Sequence, residues 1–483
     1  MELMLDTQLT LHTDKYQINM MYAHWKRGTH ENIRVFDAYF RKIPFGNGFA
    51  VFGGLERIVH YLNGLHFSES DLAYLREQPE KYDEAFLEYL KGFTFKATVH
   101  AMKEGTLVFP NQSLIRVEGT VAEAQLIETA LLNFMNYQTL IATKAARIRQ
   151  IAPNDTLFEF GTRRAQEADA AIWGARAAYI AGFDATSNME SGKKFHIPSV
   201  GTHAHAWVMD FDSELEAFRA YADVHPANTT LLVDTYNTLK SGVPNAIIVG
   251  KELEEKGYRL KAIRLDSGDL AYLSIKAREM LDKAGLNYVK IVASNDLDEN
   301  VIFNLKAQGA KIDSWGVGTQ LITAADNPAL GGVYKLVAKK QSDGSYTPVI
   351  KMSENPEKVT TPGLKDVYRI INNETNKVEG DYIALHDEVV ENQDSLLMFD
   401  PVNTWKKKTV TNFTAERLLQ PIFIDGKQVY ELPTIEEIKD YHKQQLTLFW
   451  EEHLRKLNPQ HYYVDLSEKL WNEKMDLIKK FRQ

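Results

Sequence analysis

No cysteine occurs in the 483 residues. That excludes disulfides, thiolate zinc sites, iron–sulfur clusters and cysteine nucleophiles together. No stretch approaches the roughly 18 consecutive apolar residues of a membrane span. The opening MELMLDTQLT has no basic start and only a short apolar stretch, which argues against a secretory signal. Positive charge is also scarce: 56 Lys and Arg face 65 Asp and Glu, a net charge of −9. There is no broad basic field for nucleic acid or anionic lipid, so an anionic ligand must be held by a local cluster. Aromatic residues at 11% and charged residues at 25% exclude a disordered chain. The expectation is a cytoplasmic protein of two or three domains, with neither nucleic acid nor membrane as a partner.

What the sequence does contain is a repeat between Thr156 and Thr319. Short apolar runs end in polar clusters and are followed by helix-like stretches. The clusters are FEFGTRR (158–164), VGTHAH (200–205), LLVDTY (231–236), IRLDSGD (263–269), IVASND (291–296) and WGVGT (315–319). Their spacing of roughly thirty residues is that of strand-helix-strand units. The strands are therefore predicted to be parallel, with every cluster at the C-terminal end of a barrel or open α/β sheet, where such folds carry their chemistry. Within the repeat, Leu273, Ala277, Met280, Leu281 and Ala284 trace a helical stripe, and Gly285 supplies its stop.

Three regions are expected. Residues 1–140 mix strands (33–40, 96–102, 113–119) with helical stretches such as Ala122–Tyr137 in the irregular order of an α+β, sandwich-like domain. Residues 141–340 carry the repeat. Residues 341–483 form a C-terminal region that starts turn-rich at 342–348 and closes in amphipathic helices near 434–457 and 466–481; it shows no chemical motif.

Gly201-Thr202-His203-Ala204-His205 is the most specific string. If the strand persists, His203 and His205 share a face. That pattern serves either a metal pair, as in a barrel metallohydrolase, or a histidine acting as nucleophile or general base. A histidine merely hydrogen-bonded in a loop is the structural reading. Arg163 and Arg164 follow one run, and Arg264 lies beside Asp266 and Asp269, suited either to a bidentate grip on carboxylate or phosphate or to a salt bridge with those aspartates. The aspartates can hold ribose hydroxyls or magnesium. Ser294-Asn295-Asp296 opens a predicted helix over 299–308, and Gly316-Val317-Gly318-Thr319 leaves the last run; both suit phosphate.

The strings Thr13-Asp14-Lys15-Tyr16-Gln17, FGTRRAQ (160–166), GFDATSN (182–188), GTHAH (201–205), RLDSGD (264–269) and GVGT (316–319) resemble nicotinate phosphoribosyltransferases, in that family's order. The resemblance implies a type II phosphoribosyltransferase: an irregular TIM-like α/β barrel, an N-terminal sandwich-like domain, and a homodimer with sites at the subunit interface. It also implies conversion of nicotinate and phosphoribosyl pyrophosphate to nicotinate mononucleotide and pyrophosphate, coupled to ATP hydrolysis and requiring Mg2+. By resemblance His205 is the histidine phosphorylated by ATP, with His203 at a variable position. Tyr16 and Phe160 sandwich the pyridine ring, Tyr16 reaching in from the other subunit. Thr202 and Arg264 meet the nicotinate carboxylate. Arg163, Asp266 and the Gly316, Gly318 and Thr319 loop hold the phosphoribosyl group, helped by Ser294 and Asn295. The magnesium ligands stay unassigned. Two other functions remain open: the same fold acting on nicotinamide, and a His-x-His metallohydrolase.

Overall fold

The computed structural model describes residues 9–355 and 358–482. Met1–Gln8, on which most of the signal-peptide reading rests, lie outside the described residues. The chain divides into two units, residues 144–328 and, together, the residues up to 143 and from 329 onward.

Residues 144–328 hold the repeat. Six strands, β1 (Thr156–Glu159), β2 (Ala185–Thr186), β3 (Thr230–Leu232), β4 (Ala262–Leu265), β5 (Lys290–Asn295) and β6 (Ser314–Val317), pair in the order β2-β1-β6-β5-β4-β3. Every pairing is parallel. Strands rich in Ile, Val and Leu are buried as expected for sheets covered by crossover helices. Those helices include Glu167–Ile180, Val243–Glu255, Leu270–Lys283 and Glu299–Ala307. In Leu270–Lys283 the buried face is Leu270, Ala271, Ser274, Ala277 and Leu281, so the predicted stripe is rotated and only Ala277 and Leu281 of it are buried. Gly285 follows at φ 75°, the left-handed stop expected of glycine.

The two end strands, β2 and β3, are not paired to each other. Segment 198–203 spans the gap between them. Thr186 N–H donates to Pro198 O at 3.0 Å and Val200 N–H to Thr186 O at 2.9 Å, while Leu232 N–H donates to His203 Nε2 at 3.2 Å. The ring is thus closed through an irregular segment, which is the sense in which the α/β barrel is irregular. Here the structure corrects the sequence reading. VGTHAH does not end a strand; the strand is the two-residue β2, 15 residues earlier at Ala185, and His205 begins the short helix His205–Met209.

The second unit joins the expected first and third regions, because their strands pair. Its seven-stranded antiparallel sheet orders 346–348, 333–340, 33–39, 115–120, 98–101, 420–424 and 427–428. A four-stranded sheet, ordered 413–417, 365–372, 377–385 and 464–466, adds a second layer whose core includes Tyr368, Ile370, Tyr382 and Met398. Buried ion pairs tie the two sheets: Arg116 to Asp366 at 2.8 Å and Lys365 to Asp37 at 2.5 Å. The predicted helix over 122–137 is two helices, Val121–Leu126, closed by a Thr120–Glu123 capping box, and Glu128–Ile151. The second continues because no glycine or proline interrupts 138–151. Near the C-terminus Ile435–Leu448 ends before Phe449, and Glu468–Arg482 closes the chain. Among the described residues no helix is long and apolar enough to cross a membrane.

Candidate active site at the strand ends

Parallel strands place their C-terminal ends on one rim, and the polar clusters gather there. Arg264, on β4, is the centre. Its Nε donates to Ser294 Oγ at 2.7 Å, one terminal nitrogen to Thr202 Oγ1 at 3.1 Å, and the other to Asp266 Oδ1 at 2.9 Å. The guanidinium carbon lies 5.6 Å from the centroid of the Phe160 ring. Three oxygen acceptors in different directions fix the guanidinium plane, a geometry that lysine cannot reproduce. Of the five N–H groups an arginine carries, these bonds leave two for a ligand.

Phe160 follows β1, and its position explains a glycine. A Cβ on Gly316 would come within 2.5 Å of Phe160 Cδ2 and 3.3 Å of Ser294 Cβ. Gly316 is itself a buried residue of β6, paired with Ser294 of β5 and Phe158 of β1. Its lack of a side chain seats the Phe160 ring. Gly318 lies one residue beyond β6 and precedes the short helix Thr319–Ile322. Asn295 ends β5 with φ 141°, a strained value for a non-glycine residue, and turns the chain toward Asp298, whose carboxylate caps the helix Glu299–Ala307. Ser294 is buried, and Asn295 is exposed.

The two histidines face different surroundings. His203 is buried, packs edge-on against Tyr221 at 5.0 Å, and accepts the Leu232 N–H through Nε2. That bond requires an unprotonated Nε2, and burial holds the imidazole down at about 4. His203 is a neutral keystone of the ring closure. His205 is partly exposed, with Nδ1 3.1 Å from Thr235 Oγ1 and Nε2 facing two carboxylates, Asp234 Oδ1 at 4.0 Å and Asp266 Oδ2 at 3.9 Å. No strand runs through 203–205 to set the two rings on one face, and His203 Nε2 is occupied by the Leu232 N–H, which removes the basis of the His-x-His metal pairing. Among the described residues no group of three or more His, Cys, Asp or Glu could hold a metal by itself.

Three residues to which the sequence reading gave no role belong to this rim. Asp234 accepts from Asp266 N–H at 2.8 Å and Ser267 Oγ at 2.7 Å through Oδ2, leaving Oδ1 buried and without a hydrogen-bond partner. Thr235 touches His205. Glu159, buried at the end of β1, accepts from Thr186 Oγ1 at 2.6 Å and Gly161 N–H at 2.5 Å, and burial raises its pKa. Asp234 stood in view in LLVDTY, but its contacts reach Asp266 and Ser267 beyond β4 and His205 on a separate segment, and leave no local pattern. Asp269, five residues after Arg264, caps the helix Leu270–Lys283 through Tyr272 N–H. Arg163 lies exposed in the 3-10 turn 162–164, and Thr162 accepts from Asn188 Nδ2 at 3.1 Å. Tyr16 lies in the other unit, on the helix Lys15–Lys26, and is 50% exposed.

A parallel ring with a clamped arginine, an aromatic ring, a histidine and paired carboxylates on one rim defines an α/β-barrel enzyme of small anionic molecules. Comparison with known proteins sharpens this. Models of the nicotinate phosphoribosyltransferase N-terminal domain, family and C-terminal domain match residues 11–136, 156–392 and 364–474. The nicotinate phosphoribosyltransferase of Bacillus subtilis is 55% identical over 98% of this chain and 96% of its own length. The human relative is 33% identical over 95% of this chain and 94% of its own. A crystal structure of human nicotinic acid phosphoribosyltransferase superposes with a TM-score of 0.86, covering 96% of this chain and 99% of that one at 31% identity. The chain belongs to the nicotinate phosphoribosyltransferase family. The C-terminal region, silent in the sequence, is part of that match. A nicotinate-nucleotide pyrophosphorylase structure from Pyrococcus furiosus, 23% identical with a TM-score of 0.69, shares the fold.

Proposed function

We propose that this protein transfers the phosphoribosyl group of phosphoribosyl pyrophosphate to the ring nitrogen of nicotinate, releasing pyrophosphate, and that ATP hydrolysis is coupled through His205. The carrying observation is Arg264. Its plane is fixed by Ser294, Thr202 and Asp266, its remaining N–H groups can grip a carboxylate, and Phe160 lies beside it to stack on a flat ring. Nicotinate has both the ring and the carboxylate. Nicotinamide has the ring without the charge, so the same site favours it less.

Transfer at the anomeric carbon breaks the bond to pyrophosphate as the pyridine nitrogen forms its own. The protein's share is positioning and charge stabilisation. Arg163 and the Gly316, Gly318 and Thr319 turn are proposed to hold the phosphoribosyl end, with Asn295 beside them and Asp266 at a ribose hydroxyl. The magnesium ion of the reaction fits the rim: such ions take one or two carboxylates and complete their shell with water and substrate phosphates. Asp234, with a buried unpartnered oxygen, and Asp266 are the carboxylates in place. When bound, the ion would neutralise phosphate charge.

His205 has one nitrogen at Thr235 and the other open to the rim. It would take the terminal phosphoryl group of ATP, releasing ADP, and later give it to water as phosphate. A homodimer in which the partner subunit brings Tyr16 to the pyridine ring, and a cytoplasmic location, are part of the same proposal. The test is product formation: purified protein with phosphoribosyl pyrophosphate should form nicotinate mononucleotide from nicotinate and much less product from nicotinamide. Equal use of both pyridines, or of neither, would refute the reading.

A further inference from the structure

The hydroxyl of Ser294 makes two bonds. It accepts from Arg264 Nε at 2.7 Å and donates to Asp266 Oδ1 at 2.5 Å, an oxygen that also takes the 2.9 Å bond from the Arg264 terminal nitrogen. Arg264, Ser294 and Asp266 therefore close a triangle. An arginine Nε can only donate, so Ser294 must accept there, and its single proton goes to the carboxylate. A substrate phosphate could take that proton only by breaking the triangle. Ser294 is 3% exposed, and across the ladder it pairs with Gly316, where even a Cβ would press on Ser294 Cβ and the Phe160 ring.

We infer that Ser294 is a positioning residue that selects for the pyridine carboxylate by holding the Arg264 guanidinium in the plane facing that carboxylate, rather than a ligand of the phosphoribosyl phosphates. This rests on the nicotinate reading above. Without the hydroxyl, Arg264 keeps its bonds to Thr202 and Asp266 but loses the one at Nε that stops the guanidinium rotating about its stem. The loss falls on substrates that carry a carboxylate. A substrate held only by stacking and by its phosphates does not depend on the orientation of Arg264.

The experiment compares wild type with Ser294→Ala, a change that removes one oxygen and opens no clash, and with Ser294→Thr, which restores the hydroxyl. In Ser294→Ala, kcat/KM for nicotinate should fall about tenfold or more, chiefly through KM, while KM for phosphoribosyl pyrophosphate and kcat/KM for nicotinamide change less than about threefold. Ser294→Thr should recover most of the nicotinate loss. A rise in the phosphoribosyl pyrophosphate KM as large as that for nicotinate would make Ser294 a phosphate ligand and overturn the inference. So would an equal loss on both pyridines, which marks general damage. If Ser294→Thr does not fold, the split between the two pyridines in Ser294→Ala decides alone. Failure of the wild type to make nicotinate mononucleotide would strike the functional reading instead, and is read separately from the variants.

Discussion

Asp234 turns a buried, unpartnered carboxylate oxygen toward His205 Nε2, 4.0 Å away. A buried acceptor left without a donor costs about 1–3 kcal/mol, and we propose that this one meets its partner during the reaction. Its other oxygen is fixed by Asp266 N–H and Ser267, so the carboxylate cannot swing away to satisfy itself. Asp234→Asn keeps the shape and removes the charge. It is expected to reduce the ATP-dependent rate by about tenfold or more while leaving ATP-independent transfer less affected. Steady-state rates with and without ATP check this; equal loss in both would place Asp234 in the transfer step itself.

Arg264 is the residue proposed to grip the nicotinate carboxylate. Arg264→Ala should lower kcat/KM for nicotinate at least tenfold, equivalent to about 1.4 kcal/mol. Arg264→Lys should not restore it, since one ammonium cannot meet Ser294, Thr202 and Asp266 in a plane and still face a ligand. Full recovery with lysine would reduce the residue to a point charge.

Gly316 supplies space. In Gly316→Ala the new methyl would meet the Phe160 ring at 2.5 Å, and the ring must move because the rest of the strand is fixed by pairing on both sides. Overpacking of this kind costs about 1–3 kcal/mol. The prediction is a lower unfolding midpoint together with a raised nicotinate KM. A second change, Phe160→Leu, should relieve the stability loss and leave the KM high, which calorimetry and kinetics together would show.

Acid should weaken the fold above the range of carboxylate titration. Burial lowers both His203 and His442 from 6.5 to about 4, and one nitrogen of each ring bonds a backbone group, His203 Nε2 that of Leu232 and His442 Nδ1 that of Gly105. A histidine depressed in the folded state contributes stability that is fully present above its unfolded pKa and is lost as pH falls. The loss therefore runs from about pH 6.5 down to about 4, up to roughly 3 kcal/mol for each ring. Urea midpoints at pH 7.5 and pH 5 should differ accordingly; identical midpoints would mean that the imidazoles are not held neutral.

The rim was legible in the sequence because a polar cluster stops each apolar run, and parallel pairing sends all such stops to one end. Phe160, Asp234, Arg264, Asp266 and Ser294 all stand within the six quoted strings. What escaped was non-local. Strand β2 is two residues long, too short to leave a period, and the gap beside it is closed by the side chain of His203, which no pattern of apolar residues records. GTHAH was therefore read as a strand end with both histidines on one face. The joining of the first and third regions was hidden for the same reason: strand 333–340 finds its partner 33–39 across some three hundred residues of chain. Gly316 was read as part of a phosphate loop; that its absent side chain also makes room for the Phe160 ring is a contact between strands that no local pattern records.

One rim is proposed both to move the phosphoribosyl group and to take ATP's phosphoryl group on His205. Incubation with γ-labelled ATP tests it directly, because a phosphoryl group on imidazole is labile in acid and survives base. The wild-type protein should take up acid-labile label, and product yield from nicotinate should rise with ATP. His205→Ala should take up none and keep slow transfer that ATP no longer improves. Acid-labile label persisting in His205→Ala, or ATP raising product yield in that variant, would contradict the account.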